Sequence, residues 1–206
     1  MKGLLRKELY MVRKYLWSYL LLVGVFLLAV YLGKDPRFLL FPGMVAGMIP
    51  ISLMTYDTHF RWDAYSATMP YTRTQLVSVK YLVGVLSVMG IFLLNGGVLL
   101  LRQILQGDGD VGQMLAFSTL ILVLGLLPSW LMLPLAFCLG PEQSRIITGV
   151  LIAMISFLGT FVYSAGYLFP MAEIPGWGVL LTVASAVILY LFSWGLSIYL
   201  YKKKEF

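Results

Sequence analysis

Six apolar runs of about membrane-crossing length, joined by connectors too short to fold by themselves, set the class of this chain. They cover residues 16–33, 38–55, 81–101, 114–139, 146–169 and 178–201, and the connectors are 34–37, 56–80, 102–113, 140–145 and 170–177. A helix needs about 20 predominantly apolar residues to cross the hydrocarbon core of a bilayer. The composition agrees. Sixty per cent of the 206 residues are apolar and 12% are charged, against about 25% charged in soluble domains, and mean hydropathy is +0.89. A soluble fold of this size has too little interior to hide that much apolar surface. The expected fold is therefore all-α: a polytopic membrane protein of about six transmembrane helices forming a single domain, 1–206. Residues 1–14 precede the first span and 56–80 form the longest connector.

Charge sets direction. With the N-terminus inside, all but Lys34, Arg37 and Arg102 of the 15 Lys and Arg fall on the inner side. This bias reads as topology signalling, with both termini in the cytoplasm, rather than as a nucleic-acid surface. Residues 1–14 are too long and too mixed for the n-region of a signal peptide, and no small-residue cleavage site follows the first run. The single Cys138 allows no disulfide within the chain, and no Cys/His cluster has zinc-ligand spacing.

The spans contain no Asp, Glu, Lys, Arg or His; Asn95 is their most polar residue. An ion-driven carrier needs a coupling site near the midplane, a proton relay needs ionisable groups, and a membrane enzyme needs an acid, base, metal or nucleophile. None is present in the spans. The phosphate-binding loop GxxxxGK[ST], the zinc motif HExxH and the nucleophile elbow GxSxG are absent. Gly107-Asp108-Gly109-Asp110 lacks the ligand run of a calcium loop and reads as an external turn. The lone His59 reads as a surface residue. Pro42 and Pro50 in the second run and Pro128 and Pro134 in the fourth predict kinks. Gly43 and Gly47, four apart, suit close helix packing, a hinge or a cavity wall. If a chain with carrier-like helices and no chemistry of its own moves something, the expected source of energy is a partner that grips it from the cytoplasm.

Two elements can be gripped. In residues 1–14, Leu4, Leu5, Leu9 and Val12 share a face against Lys2, Arg6, Lys7, Arg13 and Lys14, a pattern suited to an interfacial helix or to a basic anchor for the first span. In residues 56–80, Trp62, Tyr65 and Met69 are spaced to share one face of a short helix, and Asp57 and Arg61 are spaced to pair across one turn. Asp63 adds charge beside Arg61, Pro70 ends the helix, Arg73 leads into the third span, and Lys80 can snorkel to the interface. The helix rests on the membrane surface or docks another protein.

At this connector the chain resembles the ABC-2 type permeases of ABC transporters, and among them the small permeases grouped with exporters of phenol-soluble modulins. The resemblance rests on a basic N-terminal helix with Lys7-Glu8, two spans, then Asp57, Trp62, Tyr65, Met69-Pro70, Arg73, Val77 and Lys80-Tyr81. It implies an interfacial elbow helix over 1–14 and a coupling helix within 56–80. It further implies a second permease chain, expected as a homodimer, and a separate ABC ATPase subunit that holds ATP and Mg. Asp57, Arg61, Trp62, Asp63, Tyr65, Met69 and Arg73 are then the expected contacts to that ATPase. The re-entrant hairpin of larger members is shortened or absent, since only 159–178 is available for it. Tyr31, Asn95, Phe161, Tyr163 and Tyr167 are candidate linings of an apolar, aromatic path suited to amphipathic peptides, lipids or hydrophobic drugs. The setting would be a bacterial cytoplasmic membrane. The competing function is the substrate-binding membrane subunit of an energy-coupling vitamin importer, which has about as many spans but docks through small-residue helix faces.

Overall fold

A computed structural model describes residues 2–31, 40–106, 111–164 and 176–203. These residues form helices and short turns, with no strand among them: α1 (Lys2–Tyr31), α2 (Leu40–Gly47), α3 (Ile49–His59), α4 (Trp62–Ala67), α5 (Arg73–Gln106), α6 (Val111–Leu139), α7 (Pro141–Ser164) and α8 (Gly176–Lys203). The fold is all-α, as composition requires. Among the described residues, 73–101, 118–139 and 180–203 lie in helices long and apolar enough to cross a membrane.

The first element differs from expectation. The basic segment and the first apolar run are one helix, with no joint near residue 15. Neither Pro nor Gly interrupts residues 4–23. Leu4, Glu8 and Val12, at successive i, i+4 positions, are all buried, and Leu4 and Val12 pack with Ile49, Leu53, Val79 and Val83. The basic end of α1 is thus bound to the helix bundle.

The second run breaks as its prolines predict. α2 ends at Gly47, Met48 forms a turn, and α3 begins with Pro50 in its first turn, where a missing N–H costs little. The glycines serve close packing. A Cβ on Gly47 would run into the backbone oxygen of Gly125, and one on Gly43 would lie 3.1 Å from that of Ile121, so α2 meets α6 nearly backbone to backbone. Ser129 of α6 donates to the Gly47 carbonyl at 2.7 Å, satisfying an acceptor that the end of α2 exposes.

α6 is apolar on all sides and lies centrally, touching α2, α3, α5, α7 and α8. It continues through Pro128 and Pro134. Pro134 leaves the Trp130 carbonyl without its helical donor, and Ser193 of α8 donates to it at 2.7 Å. Neighbouring helices re-satisfy proline-freed groups in this way inside membranes. Ser193 also belongs to a polar seam between α5 and α8. There the buried Tyr81 hydroxyl donates to the Ser193 carbonyl at 3.0 Å and lies 2.7 Å from the Ser197 hydroxyl. Tyr190 donates to the Tyr81 carbonyl at 2.7 Å, and the Trp194 ring stacks on Tyr81.

Large apolar side chains also cover the outside. Leu93 and Leu94 of α5, Val150 and Met154 of α7, and Ile188 and Phe192 of α8 are exposed. An outward apolar surface of this extent marks contact with lipid or another protein. The molecule is a membrane protein.

Candidate functional site

One end of the bundle gathers the start of α1, the end of α3, α4, the start of α5, the α6–α7 turn and the end of α8. Two long-range contacts tie it together. Arg73 donates to the carbonyls of Tyr201 and Lys202, the latter at 2.9 Å, and so caps α8. Arg145, early in α7, donates to the Ser52 hydroxyl of α3 at 3.1 Å.

At the centre of this end lies an ion cluster. Asp57 accepts from Lys7 through Oδ1 and from Lys80 through Oδ2, each at 2.5 Å. Lys80 also donates to Glu8 Oε1 at 2.8 Å, and Lys7 lies 3.2 Å from the same oxygen. Glu8, Asp57 and Lys80 are buried. Two cations face two anions, so the cluster is neutral as a whole and each buried charge has an opposite partner. Trp62 closes it, its ring centroid 4.1 Å from Lys7 Nζ, a cation–π distance. A small cavity beneath is lined by Glu8, Asp57, Trp62, Ser66, Lys80 and Tyr201, among others.

The geometry revises the expected pairings. Asp57 turns to Lys7 and Lys80 rather than to Arg61, because the chain reverses at Arg61. That residue is left-handed (φ 52°) and exposed, and stands between α3 and α4. Lys80 does not snorkel outward; it is buried against Asp57 and Glu8. Helix α4 has six residues and its C-cap is Thr68, so Met69 lies beyond it, in the turn toward Tyr71. Trp62 and Tyr65 are neighbours, with rings 5.4 Å apart. Trp62 leans inward on Lys7, whereas Tyr65 is 57% exposed. Arg73 is engaged with the end of α8. Asp63 falls in α4, but its side chain lies outside the described residues.

Sequence reasoning missed Glu8 and Phe60 as site residues. Glu8 carried a signal: it is the one acid in a basic helix, on the stripe of Leu4 and Val12. Phe60, 75% exposed beside Tyr65's helix, had no periodicity to mark it. Of the candidate path residues, Asn95 is fully buried in α5. Tyr31, Phe161 and Tyr163 fall in helices, but their side chains, like the whole of Tyr167, lie outside the described residues.

A family model described as an ABC-2 family transporter protein matches residues 3–202, nearly the whole chain. The chain belongs to the ABC-2 transporter family. It is a permease subunit of an ABC transporter, a transport subunit rather than an enzyme. ABC-2 permeases generally work with an ABC ATPase subunit. The family match lends no support to the vitamin-importer alternative. No curated protein matches the chain.

Proposed function

We propose that this permease exports amphipathic peptides or other hydrophobic compounds across a bacterial cytoplasmic membrane. Two copies form the path, and each is driven by a separate ATPase that holds ATP and Mg and docks on α4. Both termini and α4 face the cytoplasm in this reading. The observation that carries it is the bracing of α4. Trp62 rests on Lys7, and Lys7 joins Asp57 of α3, which Lys80 of α5 also holds. A push on α4 therefore reaches α1, α3 and α5 through part-buried and buried charge contacts. The outward side of this element offers Phe60 and Tyr65, both exposed, and aromatic anchors concentrate binding energy at protein interfaces. The cluster of inner-side cations at this end supports a cytoplasmic placement. The absence of ionisable residues from the apolar runs, with the likeness to modulin exporters, supports an amphipathic cargo.

Tyr65→Ala and Phe60→Ala test the reading. Each should leave the size-exclusion profile unchanged and weaken ATPase binding about tenfold or more, the scale of a truncated aromatic anchor. Arg61→Ala and Asp63→Ala should cost less, as rim charges do. Wild-type transport in both aromatic variants would return α4 to a helix resting on lipid. For the cargo, amphipathic peptides should stimulate ATP hydrolysis by the reconstituted complex. Stimulation by hydrophilic solutes alone would remove them as substrates.

A further inference from the structure

An apolar groove of about 220 Å³ runs between α1, α2 and α5, with Ile49 of α3 in its wall. Its walls include Leu9, Leu20 and Val23 of α1, Val45 of α2, and Leu86 and Leu94 of α5. Its one hydroxyl-bearing wall residue, Ser87, donates to its own helix at the Val83 carbonyl, which leaves the surface apolar. From Val83 to Leu94 the groove follows α5 for about 16 Å at 1.5 Å per residue. That is roughly one leaflet of a hydrocarbon core about 30 Å thick. Leu9, Leu86, Gly90 and Leu94 are exposed along it. A Cβ on Gly90 would meet nothing within 4 Å, so the groove is open at its middle.

Its edge on α1 is basic. Arg6 and Arg13 stand three positions before and four after Leu9, on the same stripe of the helix, and both are exposed. We propose that the groove holds one acyl chain of an anionic phospholipid whose headgroup lies against Arg6 and Arg13. Cations beside an apolar slot match the two halves of such a lipid. A second copy of this chain fits the slot less well. In a two-fold contact it would set its own Arg6 and Arg13 against the same edge, and the chain already carries a net charge of +6.

The test is native mass spectrometry of the full chain in detergent with phosphatidylglycerol and phosphatidylcholine of identical acyl chains. The wild type should retain phosphatidylglycerol in preference by roughly thirtyfold, the scale of two cations near a headgroup. Gly90→Phe fills the groove and should lose both lipids. Arg6→Gln/Arg13→Gln should keep an acyl chain without headgroup preference. Equal retention by Gly90→Phe and wild type, or an unchanged preference in the double arginine variant, would overturn the proposal. So would a lipid-free wild-type dimer that Gly90→Phe converts to monomer, which would make the groove an interface between copies. Should Gly90→Phe fail to fold, a photoactivatable phosphatidylglycerol decides on the wild type. Cross-links at Leu86 to Leu94 are expected, and cross-links confined to α7 and α8 would refute the site.

Discussion

Glu8 joins the cytoplasm-facing half of the proposal to its energetics. Its Oε1 accepts from Lys80 while its Oε2 is buried with no hydrogen-bond partner among the described residues. Removing one member of a buried charge pair strands the other, at a cost of about 3–5 kcal/mol. Glu8→Gln and Asp57→Asn are therefore expected to lower the temperature at which the purified permease loses its size-exclusion peak, and Lys80→Met to do so as well. The Glu8→Gln/Lys80→Met double variant should recover part of that loss, since each substitution then removes the group the other would strand. Strictly additive losses would show that the two side chains do not interact. The cluster was hidden in the sequence because Asp57 lies 50 residues from Lys7 and 23 from Lys80. Local spacing offered Arg61 as a partner, and only the left-handed turn at Arg61 withdraws it.

Among the elements, α2 and α6 show what glycine does here. Both Gly47 and Gly90 lie in apolar runs; Gly47 has Gly43 four residues before it, a spacing suited to close packing, whereas Gly90 stands between Leu86 and Leu94. The Gly47 Cβ position is blocked by backbone, while that of Gly90 is open. Gly47→Ala should therefore force α2 and α6 apart and reduce both folded yield and thermal stability. Gly90→Ala should be neutral or stabilising by up to about 1 kcal/mol, the difference in helix propensity. Comparable folded yields and melting temperatures for the two variants would contradict this assignment. The break at Met48 was legible from Pro50, because proline belongs in the first turn of a helix. The continuity of α1 was not, because a basic amphipathic segment reads the same whether its apolar face meets lipid or a neighbouring helix.

For the whole molecule, the ends of α3, α6 and α8 and the starts of α1, α5 and α7 share one side of the bundle. In the proposed orientation, single cysteines at Thr68 and Lys203 in a Cys138→Ala background should react with a membrane-impermeant reagent only from the cytoplasmic side. A cysteine at position 109, outside the described residues, should react only from the external side; reaction there from the cytoplasm alone would reverse the orientation. The active complex is expected to contain two permeases and two ATPases, and a stable active particle with one permease would refute that ratio. The all-α class, the membrane setting and the proline break followed from the sequence alone. Hydropathy, proline geometry and charge bias are local or compositional, and lipid imposes helices wherever long apolar runs occur. The tertiary structure decided that Lys7, Glu8, Asp57 and Lys80 meet, that Trp62 turns inward while Tyr65 turns outward, and that Gly47 is closed while Gly90 is open. Each of these depends on which helix faces which. Helices in lipid choose their partners by close packing and buried polar contacts between residues far apart in the chain, and those pairings leave little trace in local spacing.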